Sequence, residues 1–355
     1  MRLGLMGFPQ SGKTTIFNVL THGDQPVVSS GGRFEVHTAV VDVPDPRLDQ
    51  LAALFKPQKV IHAKVTYADI AGLEAGRSGS ISGSLLNQLS QMDGFLHVVR
   101  CFENPGVPHP AGSIDARRDI VQIDAELLLN DLISVERKIS RLEEERRKGG
   151  GRDRSQIDRE LELFQRLHAS LSDEIPLRDL EFTPEEERVL SGFGLLTRKP
   201  ILVVLNLGDD QSAPDLDYPH KRSAILSLRG KLEMEIAQLP PEEARVFLAE
   251  YGIEESGLER VIHTSYQLLG LISFFTVGAD EVRAWTVPMR TTAYAAAGEI
   301  HTDIQKGFVR AEVIAWDELL ALGGLSEARA KGRLRLEGRD YLLQDGEVMH
   351  VRFNI

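Results

Sequence analysis

The sequence has 355 residues, 42% apolar and 26% charged, which suggests two or three domains with buried cores and excludes a wholly disordered chain. No apolar run reaches the roughly 18 residues of a membrane-spanning helix. A single cysteine, Cys101, excludes an internal disulfide framework or a cysteine-based zinc site and fits a reducing cytosol. The net charge of −12 argues against non-specific wrapping of nucleic acid and against a DNA partner, and leaves room for a local basic patch.

The N-terminal stretch MRLGLMGF is too short in its apolar part for a signal peptide, and residues 2–8 read as a buried strand ending in glycine. Residues 13–21 have helical spacing, with Ile16 and Leu20 on one face. Strands are expected at 34–43, 65–70 and 95–102, with helices at 47–55 and 85–92 and a Gly/Ser-rich loop at 73–84. Alternating strands and helices predict an α/β domain with a mainly parallel sheet covered on both faces. Composition shifts near residue 117. Leu128, Leu132, Val135, Ile139 and Leu142 form a heptad seam, which Gly149, Gly150 and Gly151 interrupt. Ile157, Leu161, Phe164, His168, Leu171 and Ile175 then repeat the spacing, which predicts an antiparallel helical hairpin roughly 40 Å long. Its tip is basic: Arg146, Arg147, Lys148, Arg152 and Arg154.

The sheet pattern resumes at 201–207 and 223–228, so the hairpin reads as an insertion. Beyond residue 270, strands at 282–287, 308–314, 333–338 and 348–353 with helices at 293–306 and 316–321 predict a small α+β unit. The expected division is 1–117 with 196–270, an insertion at 118–195, and a C-terminal unit at 271–355.

Gly7-Phe8-Pro9-Gln10-Ser11-Gly12-Lys13-Thr14 matches G-x-x-x-x-G-K-[ST], between an expected strand and an expected helix. The backbone N–H groups of such a loop cradle phosphate oxygens at a helix N-terminus. Lys13 reaches the outer phosphates, and the Thr14 hydroxyl ligates Mg²⁺. Pro9 to Thr15 are therefore candidate nucleotide contacts. Asp69-Ile70-Ala71-Gly72 closes a strand, where Asp69 can hold Mg²⁺ through water and the Gly72 N–H can sense a γ-phosphate. Asn206-Leu207-Gly208-Asp209 ends another strand where guanine-specific proteins carry NKxD. Leu207 replaces the lysine, so a base contact survives with weakened guanine selectivity. Leu228, Arg229 and Gly230 follow the next strand and are candidates for brushing the base.

PDPRLDQLAALFKPQKV (44–60), DIAGL (69–73), HVVRCFEN (97–104), EVRAWTV (281–287) and IHTDIQKGFVRAEVI (300–314) resemble the YchF-type, or Obg-like, ATPases over nearly the whole chain. That resemblance implies a Ras-like P-loop domain, a helical-hairpin insertion and a C-terminal TGS domain of β-grasp type. It also implies cytoplasmic location, ribosome binding, Mg²⁺ with ATP preferred over GTP, and slow hydrolysis. The family replaces the water-orienting glutamine of Ras-like enzymes with a hydrophobic residue, here Leu73, and places a histidine after the VRCFEN stretch. His109 matches that histidine and is the candidate for positioning water. The family's fourth loop position is usually Asn, suited to a monovalent cation such as K⁺; here it is Gln10. Arg33 falls where the family's first switch carries a magnesium-binding Thr, with Thr38 nearby but out of register. Residues 73–84 depart from the glycine-rich second switch.

Three readings follow. One is a slow ATPase, also acting on GTP, that serves as a ribosome-associated switch. The second is a nucleotide-binding scaffold with little hydrolysis, motivated by the diverged switches. The third, motivated by Asp209, is a GTP-preferring switch. RNA contact is expected through the C-terminal unit, where Arg329, Lys331, Arg333, Arg335 and Arg339 cluster, or through the hairpin tip.

Overall fold

A computed structural model describes residues 1–21, 28–29, 36–70, 83–149, 151–250 and 255–354. In chain order the first elements are β1 (Arg2–Met6), α1 (Lys13–Leu20), β2 (Val28–Ser29), β3 (Val36–Asp42), α2 (Pro46–Phe55), β4 (Lys59–Ile61), β5 (Lys64–Ile70), α3 (Gly83–Ser90) and β6 (Gly94–Arg100). The hairpin helices α4 (Ala116–Lys148) and α5 (Arg154–Ser172) and the short α6 (Pro184–Leu190) follow, then β7 (Ile201–Asn206), β8 (Ser223–Leu228) and α7 (Gly230–Ala237). After helices at Pro241–Glu250 and Gly257–Leu268 come β9 (Leu271–Val277), β10 (Glu281–Pro288), β11 (Phe308–Ala315), β12 (Arg335–Glu337) and β13 (Glu347–Phe353).

Seven strands form one sheet in the order β2-β3-β5-β1-β6-β7-β8. β1, β5, β6, β7 and β8 pair in parallel. Every residue of β6 and β7 is buried, as expected for central strands covered on both faces. Phe95, Ile201, Leu89, Ile123 and Leu127 share one apolar cluster, so α3 and the root of α4 cover the same region of sheet. The helices α4 (33 residues) and α5 (19 residues) pair antiparallel: Arg146 meets Asp158, Lys138 meets Glu160 and His168 meets Glu136. At ~1.5 Å per residue α4 is about 50 Å long, more than the sequence suggests. Gly149 and Gly151 turn the chain with φ of +64° and +94°, values that favour glycine.

The seam differs from the expected one at two places. Leu167 is fully buried where His168 was expected; His168 sits one position round the helix, partly exposed, beside Glu136. A straight helix drifts from a strict seven-residue repeat, and Leu163 and Leu167 take up the drift. Ile175 lies beyond the end of α5 and is exposed.

The chain divides into two compact units, Met1–Ala39 with Thr66–Val261, and Val40–Val65 with Ile262–Ile355. This corrects the expected boundaries: Val40–Val65 belongs with the C-terminal unit because β4 pairs in parallel with β10. That unit holds a six-stranded mixed sheet, β12-β11-β13-β9-β10-β4. The helix at Ala293–Ile300 contributes Ala293, Ala296 and Ala297 to the core with Phe274, Val313 and Met349. The helix expected over 293–306 breaks at His301, whose ring accepts from Asp303 N and caps a second short helix. The PDPRL segment has a local logic. Asp45 N-caps α2 by accepting from Arg47 N, and the Arg47 guanidinium turns back onto Asp45, reaches Asp345 and lies over Phe275.

Asp131 on α4 is buried and accepts from Leu196 N, Thr197 N and Thr197 Oγ1, tying the return strand to the hairpin root. Two residues on, Lys199 Nζ donates to the carbonyls of Leu89, Ser90 and Met92 at 2.8, 2.7 and 2.5 Å and so caps the C-terminus of α3. Burial pulls the Lys199 pKa down to about 8, against upward pulls from Asp93 and Asp131. Between that value and the ordinary lysine value the unfolded chain binds more protons, so this group's contribution to stability rises with pH over that window. Lys199→Met is expected to cost about 1–3 kcal/mol at pH 7, because buried carbonyls lose their donor. It should also flatten the rise in stability from about pH 8 to 10. Urea denaturation across pH checks both.

Candidate functional site

The loop between β1 and α1 is shaped by backbone that only glycine tolerates. Gly7 has φ +143°, and a Cβ there would lie 2.3 Å from Val98 O. Gly12 has φ +93°, and its Cβ would lie 2.2 Å from Asn206 Nδ2. Gln10, exposed with Pro9, also adopts a positive φ of 64°. Gly12 caps α1 without a side-chain bond, so the first N–H groups of the helix face outward unclaimed by any capping side chain. Ser11 is buried beneath them, and Thr15 lies half-buried in the first turn.

Lys13 Nζ spans this loop, donating to Gly7 O at 2.9 Å and Phe8 O at 2.7 Å. Burial lowers its pKa and the Asp69 charge opposes that shift. Thr14 Oγ1 donates to Asp69 Oδ2 at 3.0 Å, joining the start of α1 to the end of β5. His97 on β6 is held neutral, its pKa pushed down to about 3 by burial and then by the Lys13 charge. The positive charge at this place therefore belongs to Lys13 and not to the neighbouring imidazole.

Asn206 ends β7 and bridges two loops. Its Nδ2 donates to Ser11 O and its Oδ1 accepts from Gly230 N, both at 3.0 Å. Leu207 is buried among Val99, Cys101, Ala116 and Ile120, and its N–H donates to Leu228 O at 2.8 Å. It also floors a cleft of about 560 Å³ with Gln211, Leu228, Arg229, Glu233 and Arg260. Asp209, half-exposed, is paired with Lys231 at 3.0 Å. Lys13, Thr14, Asp69, Asn206 and Gly230 thus form one connected set, with Leu207, Leu228 and Arg229 beside it. Gly72, Leu73 and Arg33 lie outside the described residues. Thr38 sits in β3, paired with Val28.

His109 stands apart from that set. It is buried; its Nδ1 accepts from Ala111 N at 3.1 Å and its Nε2 lies 3.0 Å from Asp119 Oδ2. Among the described residues, no hydrogen bond or ion pair joins it to Lys13, Thr14 or Asp69. Sequence reading missed Asp119, Arg100 and His97. Asp119 had a signal: it is a carboxylate on the apolar stripe of α4, beside Ala116, Ile120 and Ile123, where a charge needs a partner. Arg100 is buried and organises the following loop, donating to Phe102 O and Val107 O.

A parallel sheet, a glycine-bounded loop opening a helix, a lysine across that loop and a Thr–Asp pair define a P-loop nucleotide-binding protein. Residues 271–354 match the family model YchF-GTPase_C, described as "Protein of unknown function (DUF933)". The chain is 41% identical to the ribosome-binding ATPase YchF of Pasteurella multocida, covering 100% of this chain and 99% of that one. It is 38% identical to the ribosome-binding ATPase YchF of Bacillus subtilis, covering 99% of each. The solved YchF GTPase of Schizosaccharomyces pombe aligns with a TM-score of 0.85 at 28% identity, over 99% of this chain and 97% of that one. The chain belongs to the YchF family.

Asn206→Asp keeps the shape and places an acceptor against Ser11 O. It is expected to weaken nucleotide binding at least about tenfold, the scale of losing a buried hydrogen bond and creating a repulsive contact. Titration calorimetry on the folded variant checks this.

Proposed function

We propose that the chain is a slow nucleoside triphosphate hydrolase that prefers ATP to GTP and acts as a ribosome-associated switch in the cytoplasm. The observation that carries this reading is Lys13 spanning a glycine-bounded loop at a helix start, with Thr14 beside it bonded to Asp69 at the end of β5. The relatives' printed names, ribosome-binding ATPase and GTPase, support it. In this reading Pro9 to Thr15 and Gly72 contact the phosphates, with Lys13 neutralising the outer ones. Asn206, Leu207, Asp209, Leu228, Arg229 and Gly230 surround the base.

The hydroxyl of Thr14 and the carboxylate of Asp69 are hard oxygen donors 3.0 Å apart, a pair that suits Mg²⁺ and would hold it. When bound, the ion supplies charge neutralisation at the β- and γ-oxygens. A K⁺ requirement is the finer expectation, placed beside Gln10. The ATP preference rests on the absence of a lysine at Leu207, which borders the cleft, and on Asp209, whose carboxylate faces Lys231 rather than standing free for guanine.

His109 is the candidate that positions the attacking water. Both of its ring nitrogens are occupied or faced by protein groups, which favours low basal turnover and keeps the scaffold reading as the second alternative. For ribosome or RNA contact the hairpin tip and the C-terminal unit are both candidate surfaces. At the hairpin tip Arg146, Lys148 and Arg152 are paired with Asp158, Glu144, Glu145 and Glu160. In the C-terminal unit Arg329 and Arg352 share a single buried partner, Glu312, which leaves one surplus positive charge there.

ATP and GTP are to be titrated with Mg²⁺ against the full chain, followed by phosphate release from the tighter binder. Tighter ATP binding with slow release supports the ATPase reading. Binding without release points to the scaffold, and tighter GTP binding to the GTP switch. Lys13→Ala is expected to abolish nucleotide binding; retained affinity would sink the site assignment. Association with ribosomal particles should weaken as salt rises.

A further inference from the structure

The loop from Cys101 to Asp115 reaches two places. At one end Arg100 holds it by donating to Phe102 O at 3.1 Å and Val107 O at 2.8 Å, and lies over the Phe102 ring. A Cβ on Gly12 would meet that ring at 3.9 Å, so Phe102 stands against the phosphate loop. At the other end His109 is drawn into the first turn of α4. There Asp119 divides its oxygens. Oδ1 accepts from Arg118 Nε at 2.9 Å and Arg118 Nη2 at 2.7 Å, and Oδ2 faces His109 Nε2 at 3.0 Å. Arg118 also donates to Ser113 Oγ and Ser113 O, which closes the loop onto the helix. The side chains of His109 and Asp119 are each only 3% exposed.

This geometry specifies the state of the imidazole. Nδ1 accepts from Ala111 N, so it is the acceptor nitrogen here, and Nε2 is the nitrogen turned toward the carboxylate. Nε2 lies 3.0 Å from Asp119 Oδ2 without a hydrogen bond to it, and the burial of both side chains keeps bulk water from either nitrogen. An imidazole in this position can neither orient nor deprotonate an attacking water.

We propose that Asp119 is a positioning residue that stores His109 away from the reaction, and that turnover requires His109 to leave it. The proposal rests on the reading of His109 as the water-positioning group. Basal activity is then scaled by the fraction of molecules in which His109 is released. Because Asp119 belongs to α4, whose far end is the hairpin tip, a partner that shifts α4 changes that fraction without touching the nucleotide.

The test uses the full chain with MgATP, comparing Asp119→Ala, Asp119→Asn, His109→Ala and the double variant His109→Ala/Asp119→Ala. Asp119→Ala is expected to raise kcat roughly three- to tenfold with little change in KM. Asp119→Asn keeps an acceptor for Nε2–H but loses the charge, and is expected to give a smaller rise. The double variant should fall to the level of His109→Ala, because the gain must pass through the imidazole. Ring-¹⁵N spectra should show the Nε2–H tautomer in the parent and an averaged ring in Asp119→Ala, a change that a purely structural carboxylate would not produce. A folded Asp119→Ala with unchanged or lowered kcat overturns the proposal; if that variant fails to fold, the same outcome for Asp119→Asn overturns it. If His109→Ala turns over as fast as the parent, the water-positioning reading itself fails, and the stored-state proposal with it.

Discussion

The first unit depends on how closely three backbones approach at the end of its sheet. The phosphate loop, the end of β6 and the end of β7 come together with no room for a Cβ at Gly7 or Gly12. The Asn206 side chain fills the remaining space and ties Ser11 to Gly230. A buried amide with both ends satisfied is rigid, and rigidity is what an anion cradle requires. Lys13 is held in the same way, anchored by the carbonyls of its own loop.

Much of this was legible in the chain. The phosphate loop has a spacing that few other structures need, and the largely apolar strands β6 and β7 announce a sheet covered on both faces. The heptad stripe foretold the hairpin and much of its apolar seam, including Val135, Leu142, Leu161 and Phe164. Other features were not legible, for physical reasons. β4 is a three-residue strand with exposed side chains, so no periodicity marks it, and its parallel pairing with β10 is long-range. β9 is a mostly apolar run without strict alternation, which periodicity cannot distinguish from a buried helix. A strict seven-residue repeat counts His168 into the seam, whereas a straight helix turns slightly less per residue than that repeat requires.

The site shows a similar split. Residues whose chemistry is local to a motif, such as Lys13, Thr14, Asp69 and Asn206, are linked in space much as their spacing implied. His109 could be named from resemblance, but its surroundings could not, because Asp119 lies ten positions downstream on another element. Three carboxylates of α4, two of them buried, form a series along its root: Asp119 meets the His109 loop, Asp124 accepts from the Tyr218 hydroxyl, and Asp131 holds Leu196 and Thr197. Each is a carboxylate on an otherwise apolar face with a specific partner, which fixes the rotation of the helix about its own axis as apolar packing alone does not.

The excursion at Val40–Val65 has a consequence for how the chain can be divided. β3 leaves the first sheet, α2 and β4 join the second, and β5 returns. The two units are therefore connected by three crossings of the backbone rather than one. A protease cut near residue 270 would not release an intact C-terminal unit. It would leave the β4 edge and the Asp45–Arg47–Asp345 cluster divided between the fragments. During synthesis, the segment carrying α2 and β4 emerges long before the strands it must pair with, and it completes its fold only when the last third of the chain arrives.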